Sequence, residues 1–159
     1  MIAQAATVLP RLLVVEDSPA AAGELCRLFE QHQFDVTHAQ SGEEALSRLR
    51  ESLPDALAID SRLPDTSGDE LCATIRRFQD WAHLPILLVL SADDPDTRVK
   101  GLTSGADDCI GRTDNSSELL ARLRRLLARA EIHELLTEQE KLVTLRRAAT
   151  TMAHCINNP

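Results

Sequence analysis

The chain reads as an α/β fold, a parallel sheet with helices on both faces. Three observations predict it. Short apolar runs such as Leu12-Leu13-Val14-Val15, Leu57-Ala58-Ile59 and Pro85-Ile86-Leu87-Leu88-Val89-Leu90 are bounded by turn formers, as buried strands require. Between them lie segments whose apolar residues recur at helical spacing. Strand and helix alternate five times, the pattern that demands parallel strands joined by crossover helices.

In order, Arg11-Leu12-Leu13-Val14-Val15 is a strand that runs into Glu16-Asp17. Ser18-Pro19 then supplies an N-cap with Pro at the first helical position, and Ala21, Leu25, Leu28 and Phe29 form the apolar face of a helix to about His32. Phe34 to Ala39 alternates as a strand, and Ser41-Gly42-Glu43-Glu44 opens a helix carrying Ala45, Leu46 and Leu49. The third strand ends on Asp60, followed by the loop Ser61-Arg62-Leu63-Pro64-Asp65-Thr66-Ser67-Gly68. A helix with Leu71, Ile75 and Phe78 leads to the fourth strand, which ends at Ser91-Ala92. A short helix from about Thr97 to Ser104 precedes a weak last strand, Gly105 to Arg112.

Composition bounds the function. The 159 residues suit one domain plus an appendage, and 43% hydrophobic residues suffice for an ordinary core. No apolar run approaches a membrane span, and the opening residues lack the basic region of a signal peptide. Cys26, Cys72, Cys109 and Cys155 show no metal-ligand spacing, so free thiols in a reducing cytoplasm are expected. Residues 1–114 carry net charge −10 and residues 115–159 net +2. An acidic body argues against nucleic acid as a partner, because phosphate binding needs a basic face.

Parallel strands deliver their C-terminal ends to one edge of the sheet, where open α/β sheets place their ligands. That edge is expected to hold Glu16, Asp17, Asp60, Ser91 and Arg112. Singly, each acid reads equally well as a helix cap or loop residue. Together, converging carboxylates repel one another unless a cation sits among them, and Mg2+ suits hard oxygen ligands. Asp60 beside such a cation is a nucleophile for phosphorus, with Ser91 and Arg112 binding the remaining phosphoryl oxygens.

The segments Val14-Val15-Glu16-Asp17-Ser18, Ile59 to Gly68, Leu90-Ser91-Ala92 and Gly105-Ala106-Asp107-Asp108 resemble a bacterial response-regulator receiver domain over roughly residues 10 to 130. The resemblance implies a five-stranded flavodoxin-like (CheY-like) three-layer sandwich and a cytoplasmic phosphorelay module. It implies Asp60 as phosphoacceptor, Ser91 as switch hydroxyl, and Mg2+ held by Glu16, Asp17, Asp60 and the Arg62 backbone carbonyl. A cognate histidine kinase or phosphotransfer protein would be the donor. Two positions depart from the family pattern: Arg112-Thr113 stands where the family has Lys-Pro, and Cys109 where it has a switch aromatic. Arg keeps the charge but offers a planar fork in place of a compact ammonium.

Residues 1–9 read as a disordered arm, and from Asn115 the character changes again. Asn115-Ser116-Ser117-Glu118 is a capping-box arrangement, and neither Gly nor Pro follows until Pro159. Leu119, Leu120, Leu123, Leu126 and Leu127 can cover the sheet. Residues 131–159 are then expected to leave the domain as a linker helix, with Leu135, Leu142, Ala149 and Ile156 at heptad spacing and Leu145 and Met152 between them. Such a seam suits a parallel homodimer through residues 131–158; a solvated single helix is the alternative. The ending Met152 to Pro159 resembles a histidine-kinase H-box, placing His154 at the phosphoacceptor position and Asn158 at the phosphatase-linked one, with Cys155 in place of the usual Glu. That resemblance suggests the N-terminal part of a histidine kinase.

Two function classes therefore stand side by side. One is a phosphorylation-controlled receiver coupled to a dimerising helix. The other is a pseudo-receiver serving as a constitutive dimerisation or interaction domain. A haloacid-dehalogenase-type phosphatase fits less well, because it needs Asp-x-Asp and the chain has Asp60-Ser61-Arg62.

Overall fold

The computed structural model describes residues 6–92, 94–112 and 115–157. Along it run β1 Arg11–Val15, α1 Pro19–Gln31, β2 Asp35–Ala39, α2 Gly42–Glu51 and β3 Ala56–Asp60. There follow α3 Gly68–Arg77, a 3-10 turn at Gln79–Trp81, β4 Ile86–Leu90, α4 Pro95–Ser104, β5 Asp108–Gly111 and α5 Ser116–Asn157. The strands pair in the order β2-β1-β3-β4-β5, all parallel, so the expected doubly wound sheet is present.

Alternation along the strands fills two cores. Leu13, Val15, Leu57, Ile59, Leu88 and Leu90 pack with Leu49 of α2 and Leu71 and Ile75 of α3. Their neighbours Leu12, Val14, Ala58, Leu87 and Val89 face the other way, against Phe29 of α1 and Leu119, Leu120, Leu123 and Leu126 of α5. Strands buried on both faces are the reason the central runs are continuously apolar.

The caps act where the sequence places them. Ser18, Ser41 and Ser67 accept from the N–H groups of Ala21, Glu44 and Glu70, and Asp94 accepts from Thr97 at 2.8 Å. Boundaries differ from expectation at several points, by one to three residues. Gln33 adopts a left-handed φ of 69°, so the chain reverses before Phe34 can join β2, and Phe34 instead packs edge-on against Phe29 at 5.8 Å. Gly105, at φ 116°, ends α4, which delays β5 to Asp108.

The chain divides into two compact units, one ending at Leu127 and one beginning at Ala128. Residues 1–5 of the expected arm lie outside the described residues. In the second unit, α5 continues to Asn157, and Leu135, Leu142, Leu145, Met152, His154 and Ile156 are all exposed. Ile132, Leu136 and Val143 are exposed as well, which widens the apolar stripe beyond the heptad positions. Asn158 lies outside the described residues. Among those residues, no helix is long and apolar enough to cross a membrane.

Candidate functional site

The carboxyl ends of β1, β3, β4 and β5 bring four of the expected side chains together. Glu16 follows β1 directly; its N–H donates to the Ala39 carbonyl at 3.0 Å, which extends the β1–β2 ladder and draws the side chain inward. Asp60 closes β3 opposite Val89. Both carboxylates are buried, Glu16 at 1% and Asp60 at 3% exposure, which is rare for acids without partners.

Each carboxylate has one oxygen satisfied by its own neighbourhood. Glu16 Oε1 accepts from the Ser18 N–H at 3.0 Å. Asp60 Oδ1 accepts from the Arg62 N–H at 2.6 Å and lies 3.5 Å from the Ser91 hydroxyl. The other two oxygens meet Arg112, which stands one residue beyond β5 and is held there by its N–H donating to the Leu90 carbonyl. Its Nη2 pairs with Glu16 Oε2 at 2.5 Å and with Asp60 Oδ2. Asp60 Oδ2 has no hydrogen-bond partner.

Ser91 is positioned by a residue the sequence reading passed over. Ser61 Oγ accepts from the Ser91 N–H at 3.0 Å and donates to Ser91 Oγ at 3.3 Å, tying the ends of β3 and β4 together beside Asp60. Its one sequence signal was its place directly after the candidate nucleophile.

Asp17 is exposed, and among the described residues no three His, Cys, Asp or Glu side chains form a cluster ready to hold a metal ion. The donor chemistry nevertheless fits Mg2+. Glu16 Oε2 and the unbonded Asp60 Oδ2 are hard carboxylate oxygens directed at one point, and Mg2+ needs only one or two such ligands. Thr113 lies outside the described residues.

Other expected elements serve the frame. Asp107 accepts from the Ile86 N–H and pairs with Arg76, while Asp108 pairs with Arg122. Cys109 is fully buried against α4: a Cβ added at Gly101 would lie 2.9 Å from its sulfur. None of the four cysteines forms a disulfide, and burial pushes the Cys72 thiol up to about 12.

The loop after Asp60 reaches α2 through Asp65, whose oxygens accept from the Gly42 and Glu43 N–H groups, both at 2.9 Å. Those bonds hold its carboxyl below the usual carboxylate range. A lowered folded-state value means the bonds stabilise the fold above about pH 4 and lose that effect as pH falls through the folded value. Asp65 is exposed, so solvent discounts the gain. Asp65→Ala is expected to cost about 1 kcal/mol at neutral pH. In urea titrations that difference from the wild type should shrink near pH 3, and a constant difference would rule out the charged cap.

Strand order 2-1-3-4-5 with a polar crevice at the carboxyl ends of β1 and β3 defines the flavodoxin-like class of doubly wound proteins, which bind ligands at that switch point. Within that class, the chain belongs to the response regulator receiver domain family, whose model matches residues 12–124. It is 39% identical over 124 residues to the phosphate regulon transcriptional regulatory protein PhoB of Rhizobium meliloti, covering 78% of this chain and 55% of that one. It is 38% identical to the response regulator MprA of Mycobacterium ulcerans, over 78% of this chain and 53% of that one. The chain thus spans about half the length of the curated relatives it matches. Among solved structures, it resembles a putative response regulator from Chloroflexus aurantiacus (TM-score 0.74, 33% identity, 76% of this chain and 99% of that one). It also resembles the signal receiver domain of a histidine kinase from Syntrophus aciditrophicus (TM-score 0.70, 31% identity, 75% of this chain and 90% of that one).

Proposed function

We propose that this receiver domain accepts a phosphoryl group on Asp60 from a cognate histidine kinase or phosphotransfer protein in the cytoplasm. The observation that carries the reading is the Asp60 carboxylate itself: buried at the switch point, oriented through Oδ1 by the Arg62 N–H, and left with Oδ2 free of hydrogen bonds. In the step, the Asp60 carboxylate attacks phosphorus, the P–N bond of a donor phosphohistidine breaks, and the departing imidazole nitrogen takes up a proton. The Ser91 hydroxyl and the Arg112 guanidinium lie beside the carboxylate, where they can bind oxygens of the transferred group. Glu16, Asp17, Asp60 and the Arg62 carbonyl would hold Mg2+, which supplies charge neutralisation for the phosphoryl oxygens.

The second unit is proposed to be a parallel dimerisation helix over residues 131–158, supported by the exposed stripe from Leu135 to Ile156. His154, exposed on the same helix, is the proposed phosphohistidine of an H-box, and the chain would then be the N-terminal part of a histidine kinase. The likeness to a receiver domain taken from a histidine kinase supports that placement. One observation favours the pseudo-receiver instead: Arg112 already neutralises both buried carboxylates.

Acetyl phosphate with Mg2+ separates the two. The wild type is expected to give a retarded band on a phosphate-affinity gel, absent in Asp60→Asn. If the wild type takes no label from acetyl phosphate or any phosphohistidine donor, the pseudo-receiver reading holds.

A further inference from the structure

The geometry points to Arg112 as a tethered cation that occupies the divalent-metal position, so that Mg2+ binds this receiver only by displacing the guanidinium from Glu16. The inference rests on the reading of this edge as a phosphoryl-accepting cation site and adds how that site is controlled.

Glu16 Oε1 and Asp60 Oδ1 are taken by the Ser18 and Arg62 N–H groups, both backbone donors in the first loop residues after their strands. Those bonds rotate the two carboxylates so that Oε2 and Oδ2 face the same point. What stands at that point is a single nitrogen, Arg112 Nη2, in contact with both. Two oxygens that touch one atom can also share one metal ion, and both arrangements neutralise the same charges. They cannot coexist at that position.

Competition follows from burial. Two carboxylates at 1% and 3% exposure repel strongly unless a cation stays between them, and the guanidinium meets that need without leaving the chain. Arg112 is itself more than a third exposed, at 39%, so its side chain has open solvent to swing into. The guanidinium is weakly hydrated and so suited to waiting in such a pocket, whereas an ammonium prefers water. Occupancy by metal then reports the position of Arg112, and the side chain is released to meet phosphoryl oxygens only once the ion has arrived.

The test uses the full chain and Mg2+ alone. Arg112→Gln removes the charge and ends in a shorter planar amide that cannot reach both carboxylates. In EDTA its melting temperature should fall below the wild type's, and Mg2+ should raise it more than it raises the wild type's. Calorimetry should show Mg2+ binding to the variant about tenfold tighter or more, since no internal cation must be expelled. Equal affinities in the two proteins overturn the inference, as does a pocket that binds no Mg2+ in either. Should the variant fail to fold, the wild type alone decides. The Arg112 Nε–H signal in nitrogen-15 NMR should move in proportion to bound Mg2+, and a signal that stays fixed while Mg2+ binds refutes displacement. The phosphorylation assay is independent: a labelled wild type with equal affinities spoils only this inference. Tighter binding by Arg112→Gln with no label on Asp60 spoils only the phosphoacceptor reading.

Discussion

Gly68→Ala is expected to destabilise the receiver by about 3 kcal/mol, the upper end of the cost of overpacking. Helix propensity argues the opposite way, since Ala is better than Gly in a helix by up to about 1 kcal/mol. Sterics win here. A Cβ at Gly68 would lie 2.3 Å from the Asp60 carbonyl oxygen, 2.8 Å from Leu88 Cδ1 and 2.9 Å from Ser61 Cα. Two of those three atoms are backbone, and they belong to the segment that carries the candidate nucleophile. The Gly68 N–H also donates to the Ser61 carbonyl at 2.9 Å, so the helix cannot back away without breaking that bond. Gly23→Ala is the matched control. Its Cβ would meet nothing nearer than Arg27 Nη2 at 3.6 Å, and it should stabilise the chain by about 0.5 kcal/mol. Urea denaturation of both variants settles the matter, and a neutral Gly68→Ala would mean that the start of α3 is looser than its contacts imply.

Leu142→Glu combined with Leu145→Glu is expected to convert the chain from dimer to monomer. Both leucines are exposed in the single chain, at 58% and 66%, and lie on the heptad stripe with Met152 and Ile156. Packed against a second helix they would be dry, and a carboxylate there would be desolvated with no partner. The dimer dissociation constant should rise about a hundredfold or more. Light scattering should give the wild type twice the 17.5 kDa chain mass and the double variant once that mass. Removing residues 131–159 should leave a folded monomer, because the unit ending at Leu127 already holds both cores. A wild type that stays monomeric at roughly tens of micromolar would end the dimer proposal and leave a solvated helix.

The parts of this protein legible in its sequence are those coded by near neighbours. Apolar runs ending in acids, Ser and Asp caps, and helical spacing each report over a few residues, and they sufficed for the alternation of β1 to α5 and for Asp60 at the end of β3. Where a turn depends on a residue with no intrinsic preference for it, the signal failed. Gln33 carries a left-handed conformation that glycine would have advertised, so the start of β2 was misplaced by one residue.

What only the tertiary structure decided are the partners. Arg112 is 96 residues from Glu16, and nothing local tells one guanidinium to bridge it to Asp60. The same holds for Asp65, which caps a helix 23 residues earlier, and for Ser61, which holds Ser91 across two strand ends. Each pairing exists because the five parallel strands stop at one edge in a register set by core packing. A short polar side chain has no say in that register; it takes whichever donor or charge the sheet brings within reach. Sequence alone therefore determined which residues reach the edge, and the packing of the sheet determined which of them touch.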